Sequence, residues 1–149
     1  MSLEEKINAD LKTAMLAKDE AAVRGLRAVK SAIIVAKTSG AGTTISSDDE
    51  LKILQKLVKQ RKESLDIYIG QQREDLAKTE REEIAIIEKY LPAQMDEAEI
   101  RSELMKIIAD LGANSPQAMG KVMGAASKHF AGKADNKVVS QLVKELLGA

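Results

Sequence analysis

The apolar residues of this sequence recur every three or four positions, and this spacing limits the fold more than any other feature does. Between Pro116 and Gly132 one such stripe consists of Met119, Val122, Met123, Ala126 and Phe130. Residues at this spacing share one face of an α-helix. Similar stripes run through the rest of the chain, and no segment alternates apolar and polar residues as a half-buried strand does. The sequence therefore predicts an all-α protein.

Residues that cap free backbone groups mark the helix boundaries. A serine, threonine or aspartate with an acid three residues later forms a capping box, and glycine or proline ends a helix. Predicted starts are Ser2, Asp19, Ser47, Asp96, Ser115 and Asp135, and the box Thr79–Glu82 allows the fourth helix to begin afresh. Predicted stops are Gly70, Pro92, Gly112 and Gly132, and residues 40–44 form a flexible loop by composition.

The apolar stripes also predict which residues are buried, and a pair of glycines predicts a close helix–helix contact. The first helix has Leu3, Ile7, Leu11 and Met15 on its apolar side, and the second includes Val35. Gly120 and Gly124 have the spacing that lets two helices approach closely. Because glycine costs about 1 kcal/mol against alanine inside a helix, a packing role is expected for this pair.

The segment Pro92–Met95 is the predicted linker between two helical parts. We expect an N-terminal long-helix or hairpin domain over residues 1–92 and a C-terminal three-helix bundle over residues 96–149.

Few residues in this chain can perform chemistry. There is no cysteine and one histidine, His129, so a histidine–cysteine metal site is not expected. No glycine-rich phosphate loop is present, and His129 beside Phe130 is better explained by interaction with a helix C-terminus than by catalysis. The glutamates at 80, 82, 83 and 88 alternate with basic residues, which is typical of a solvated, ion-paired face. We therefore predict no catalytic residue, metal or cofactor.

The global properties favour a cytoplasmic protein without a membrane anchor. The first ten residues lack the basic and apolar regions of a signal peptide, and no apolar run reaches membrane-spanning length. With 23 basic and 23 acidic residues the formal net charge is zero, so any nucleic-acid binding must depend on local charge. Aromatic residues make up 2% of the chain, too few for a base-stacking surface.

Local positive charge is concentrated in the C-terminal part. Between Ser115 and Lys144 the sequence has one acid and five lysines: Lys121, Lys128, Lys133, Lys137 and Lys144. Helical RNA is recognised mainly through phosphate and 2′-hydroxyl contacts, which require such side chains but no aromatics. A secondary basic patch is predicted from Arg24, Arg27, Lys30, Lys59, Arg61 and Lys62. For a single cluster of this size, ordinary helix surface is the alternative explanation.

Several motifs resemble one family in the same order along the chain. They are RGLRAVKSAI, LQKLVKQRKESLDIY, EDLAKTEREEIAIIEKYLP, MGKVMG and GKAD. Together they resemble the YqeY family, and the last two are also similar to the C-terminal tail of the GatB component of the tRNA-dependent amidotransferase. Ala118 and Asn136 depart from the pattern, which often has aspartate and glycine there. The resemblance implies that the tail region belongs to a tRNA-binding part of an enzyme rather than to its catalytic part.

Three functional hypotheses remain from the sequence. The first is a tRNA-binding accessory protein that uses the C-terminal lysines. The second is a helical protein–protein adaptor in which one of the N-terminal helices, the long helix from Leu51, serves a partner and the lysines only aid solubility. The third is a carbon–nitrogen ligase role with glutamine as amide donor, which the resemblance implies only as part of a complex.

Overall fold

A computed structural model describes residues 1–39 and 44–148, and over these residues the chain is helical. It forms α1 (Leu3–Leu16), α2 (Glu20–Thr38), α3 (Ser47–Gly70), α4 (Glu74–Glu88), α5 (Glu97–Leu111), α6 (Met119–His129) and α7 (Asn136–Leu147), with a 3-10 turn at Pro116–Ala118. No strand occurs in these two ranges, so the all-α prediction is confirmed. Most of the predicted loop, Gly40 to Thr43, lies outside the described residues. None of the described helices is long and apolar enough to cross a bilayer.

The helices group into two compact units, Met1–Leu91 and Pro92–Ala149. In the first unit α1 packs on α2, α3 and α4 form a long hairpin, and α2 packs on α4. A core of twelve buried residues joins these helices: Leu3, Ile7, Leu11, Ala14, Ala22, Leu26, Val29, Ile33, Leu54, Val58, Ile84 and Ile87. Gly25 allows the close contact of α2 with α4, since a Cβ there would lie 2.9 Å from Ile86.

The second unit consists of α5, α6 and α7, each of which contacts the other two. Its core contains Ile100, Leu104, Val122, Ala126, Phe130, Ala134, Val139, Leu142, Val143 and Leu147. The segment before α5 is attached to the turn between α6 and α7, where the Met95 amide donates to the Lys133 carbonyl at 3.0 Å.

Several predicted caps are confirmed, and the errors have local causes. Ser2, Asp19, Asp96 and Asp135 each accept a backbone hydrogen bond at the start of a helix, and Gly112 ends α5 in the left-handed conformation.

The predicted start at Ser47 is wrong by one residue, because Ser46 caps α3 by accepting from the Asp49 amide at 3.1 Å. The predicted restart at Thr79 is wrong because α4 runs unbroken from Glu74. Ser115 was expected to cap a helix, but it precedes the 3-10 turn and forms no side-chain cap.

Two predicted core residues are in fact on the surface. Met15 is 52% exposed and Val35 is 63% exposed, because Ala14 and Ile33 take the buried positions of their helices. The expected packing role of Gly120 and Gly124 is also wrong. A Cβ added at either position would have no atom of another helix within 4 Å. Neither glycine therefore lies at a helix–helix contact.

Candidate nucleic-acid interface

The five predicted C-terminal lysines all lie on the surface of the second unit. Lys121 and Lys128 are on α6, Lys133 is in the following turn, and Lys137 and Lys144 are on α7; all are exposed. We call these five residues the lysine face. None of them forms an ion pair with a residue that the structure describes.

The two acids of the α6–α7 segment are already engaged elsewhere. Asp135 caps α7 by accepting from the Lys137 backbone amide at 2.9 Å. Glu145 accepts from Arg101 on α5 at 3.0 Å, and this contact raises the pKa of the Arg101 guanidinium. Neither acid forms an ion pair with the lysine face, and its five positive charges outnumber these two negative charges by three.

Two contacts to α5 identify the flank of α6 and of α7 that faces that helix. On α7, Glu145 marks the flank next to α5, and Lys137 and Lys144 lie on the other flank of the helix, because each residue advances 100°. On α6, His129 marks the flank next to α5, since its Nε2 lies 3.2 Å from Glu103.

Lys121 and Lys128 point outward from α6, on the side opposite buried Val122 and Ala126. The α6 lysines thus point away from the core of the unit, and the α7 lysines lie on the flank of their helix that faces away from α5. Gly120 and Gly124 belong to the same exposed part of α6, so little side-chain bulk stands between the lysines there.

Much of the predicted secondary basic patch is used for packing inside the first unit. Arg24 on α2 pairs with Glu82 at 2.7 Å and with Glu83 at 3.5 Å on α4. Arg61 on α3 pairs with the same Glu83 at 3.5 Å and is 17% exposed. Its Nε is buried without a hydrogen-bond partner among the described residues.

Other cations of this patch differ in their surroundings. Lys62 pairs with Glu88 at 3.2 Å. Arg27, Lys30 and Lys59 form no ion pair with the described residues, but Lys59 lies on a different helix from the other two. The six residues therefore do not form one free cationic surface, and no sequence pattern indicated the pairs that occupy half of them.

Three of the four glutamates that the sequence assigns to an ion-paired face of α4 are paired with basic side chains. Glu82, Glu83 and Glu88 contact basic side chains, and burial, with a smaller contribution from the nearby Glu83, raises the pKa of Glu80. Among the described residues, no group of histidines and carboxylates is arranged to hold a metal ion. His129 has a partner that the sequence did not indicate, Glu103, which lies 26 positions earlier in the chain.

Comparison with known proteins identifies one family and a set of fungal relatives. The family model described as Yqey-like protein matches residues 4–147. "Altered inheritance of mitochondria protein 41, mitochondrial" of Pyrenophora tritici-repentis is 31% identical, over 97% of this chain and 80% of its own length. The protein of the same name from Clavispora lusitaniae is 37% identical, over 76% of this chain and 66% of its own length. That of Saccharomyces cerevisiae strain YJM789 is 35% identical over 66% of this chain, and the match spans about half of its own length, 51%.

These names correct one expectation. Relatives at 31–37% identity are named as mitochondrial proteins, so the prediction of a cytoplasmic location is wrong. The names describe inheritance of mitochondria and mention neither an enzymatic activity nor RNA.

Proposed function

The chain belongs to the YqeY-like family, and from this starting point we propose that it is a tRNA-binding accessory protein. The lysine face docks on the backbone of a folded RNA. The motifs MGKVMG and GKAD, which resemble the tRNA-binding tail of the GatB component of the amidotransferase, lie within or beside this face. A carbon–nitrogen ligase role would require catalytic groups from other proteins of a complex and is the weaker alternative.

The observation that carries the proposal is the uncompensated charge of the lysine face. Five exposed lysines lie on α6, α7 and the turn between them, while Asp135 and Glu145 are occupied by a helix cap and by Arg101. A polyanion supplies the missing negative charge and gains entropy when its counterions are released. If the lysines only aided solubility, there would be no reason for them to be kept apart from the acids.

The aromatic content of the second unit favours backbone recognition over base recognition. Phe130 is its only phenylalanine, and the unit has no tyrosine or tryptophan. Phe130 is 1% exposed, so no large aromatic ring is available to stack on a base. Binding should therefore follow the shape of helical RNA, with little dependence on its sequence.

The test is the affinity of the full chain for total folded tRNA across a series of salt concentrations. We expect steeply salt-dependent binding that is strongly weakened in the variant with Lys121, Lys128, Lys137 and Lys144 changed to alanine. If each lysine contacts one phosphate, the slope of log K against log salt should fall in magnitude by roughly 3 to 4 in this variant.

A matched variant controls for the loss of charge itself. Lys6, Lys52, Lys56 and Lys89 are also exposed lysines, and their change to alanine removes the same charge from the first unit. This control should keep the affinity and salt slope of the unaltered chain. Absence of binding at low salt, or equal losses in the two variants, would refute the proposed docking face.

A further inference from the structure

The first unit has a surface groove between α1 and α2 that the RNA proposal does not use. It is shallow, has a volume of about 650 Å³ and is lined by Asn8, Leu11, Lys12, Met15, Leu16 and Lys30. On α1 these residues extend from Asn8 to Leu16, a length of about 12 Å at 1.5 Å per residue. This is long enough to hold about two turns of a third helix.

The apolar residues at one end of the groove are unusually exposed. Leu16 is 78% exposed and Met15 is 52% exposed, and they are consecutive at the end of α1. Leu11 is buried beneath them and joins the groove to the core. Because the burial of leucine and methionine side chains is favourable, these two residues offer an apolar anchor for a partner.

The sides of the groove are basic. Lys12 on α1 and Lys30 on α2 line it, and Arg27 precedes Lys30 by one turn on α2. None of these three cations forms an ion pair with a described residue.

Most acids of the α1–α2 hairpin are held elsewhere. Glu4 pairs with Lys37, and Asp10 accepts a hydrogen bond from Tyr90. Asp19 caps α2. The groove therefore combines exposed apolar side chains with positive charge that nearby carboxylates leave largely uncompensated.

We propose that this groove binds an acidic amphipathic helix of a protein partner. Apolar residues of that helix cover Met15 and Leu16, and its acids pair with Lys12, Arg27 and Lys30. The exposed leucine and methionine favour such a helix over RNA, because a phosphate backbone offers them no apolar surface. The proposal concerns the first unit and does not depend on RNA binding by the second.

The probe is a synthetic amphipathic peptide of about 18 residues, long enough to form a helix, with leucines along one stripe and glutamates beside it. A second peptide has glutamine in place of every glutamate. Each is titrated into the isotopically labelled full chain, and the shifts of the backbone amide resonances locate the binding site. We expect shifts around residues 8–16 and 27–34 with the acidic peptide, and about tenfold weaker binding of the glutamine peptide.

Two variants with matched controls test the residues themselves. Leu16→Ser and the double change Lys12→Glu with Lys30→Glu should each weaken peptide binding by about tenfold or more, while tRNA affinity is retained. Val35→Ser alters an exposed apolar residue outside the groove, and Lys52→Glu with Lys56→Glu reverses two exposed lysines there; both should have little effect.

Three results would overturn the proposal. The first is the absence of peptide binding at millimolar concentration. The second is a set of shifts centred on the lysine face, which would indicate unspecific attraction of acids to lysines. The third is self-association of the chain that Leu16→Ser abolishes, since the groove would then hold a second copy of this protein.

Discussion

The same substitution, glycine to alanine, should have opposite effects on stability in α2 and in α6. In α2, the Cβ of an alanine at position 25 would lie 2.9 Å from both Cβ and Cγ2 of Ile86 on α4. In α6, the Cβ of an alanine at position 124 would meet no atom of another element within 4 Å. Both glycines lie inside helices, where alanine is favoured by about 1 kcal/mol. The difference between the two positions is therefore due to packing.

The expected changes in the free energy of unfolding follow from the cost of the close contact and the gain in helix propensity. Overpacking a close contact costs about 1–3 kcal/mol, and Cβ of Ile86 cannot rotate away because it is attached directly to the backbone. A cost in the upper part of this range, about 2–3 kcal/mol, is therefore expected, and after the gain of about 1 kcal/mol in helix propensity Gly25→Ala should lower the free energy of unfolding by about 1–2 kcal/mol. Gly124→Ala should raise it by about 0.5–1 kcal/mol, since only the propensity term acts there.

Urea denaturation can follow the two units separately. Both tyrosines, Tyr68 and Tyr90, lie in the first unit, so tyrosine fluorescence reports the effect of Gly25→Ala. Far-ultraviolet circular dichroism reports both units and therefore also the effect of Gly124→Ala. In an Ile86→Ala background the cost of Gly25→Ala should shrink, because one of the two close atoms, Cγ2, is removed.

The reasoning would be refuted by a neutral or stabilising Gly25→Ala. It would also be refuted if the cost of that substitution were unchanged in the Ile86→Ala background, since the close contact of α2 with α4 could not then be its cause. Destabilisation by Gly124→Ala would mean that α6 packs on something at this position.

Other predictions address caps, pH and unit boundaries. Ser46→Ala should lower the free energy of unfolding by about 1 kcal/mol, while Ser47→Ala should have little effect; equal effects in urea denaturation would contradict the observed cap. Burial, together with the hydrogen bond and charge of Asp10, raises the pKa of Tyr90 above the usual value near 10. The folded state therefore favours the neutral phenol, and the stability that it contributes should be lost as the pH rises above about 10. Tyr90→Phe should make this alkaline loss shallower, and denaturation at pH 9 and pH 11 would test it. Residues 92–149 expressed alone should unfold cooperatively by circular dichroism; a chain without a cooperative transition would contradict our proposal that they form a separate domain.

Local signals in the sequence predicted much of the secondary structure. Caps at Ser2, Asp19, Asp96 and Asp135 depend on hydrogen bonds between near neighbours, so residue type and spacing are sufficient to find them. Ser46 and Ser47 were harder to separate, because each has an acid three residues later.

Features that depend on how helices pack could not be predicted in this way. The capping box at Thr79 has the residues of a helix start, but α4 continues through it. Ala77, two residues earlier, is already part of α4 and is fully buried. The pairs that occupy Arg24 and Arg61 join residues 58 and 22 positions apart, and periodicity does not reveal the register of one helix against another. For the same reason, the sequence could predict the residues of the lysine face but not the engagement of Glu145 by α5.

The separation of the two cores has a consequence for the protein as it is being synthesised. Every buried residue of the first core lies at or before Ile87, and the second core begins at Ile100. A ribosome makes the chain from its N-terminus, so the first core has all its members before any residue of the second has been added. Domains generally fold as units in that order. The nascent chain thus exposes one small set of apolar residues at a time, which shortens the period in which they are available to chaperones or to aggregation.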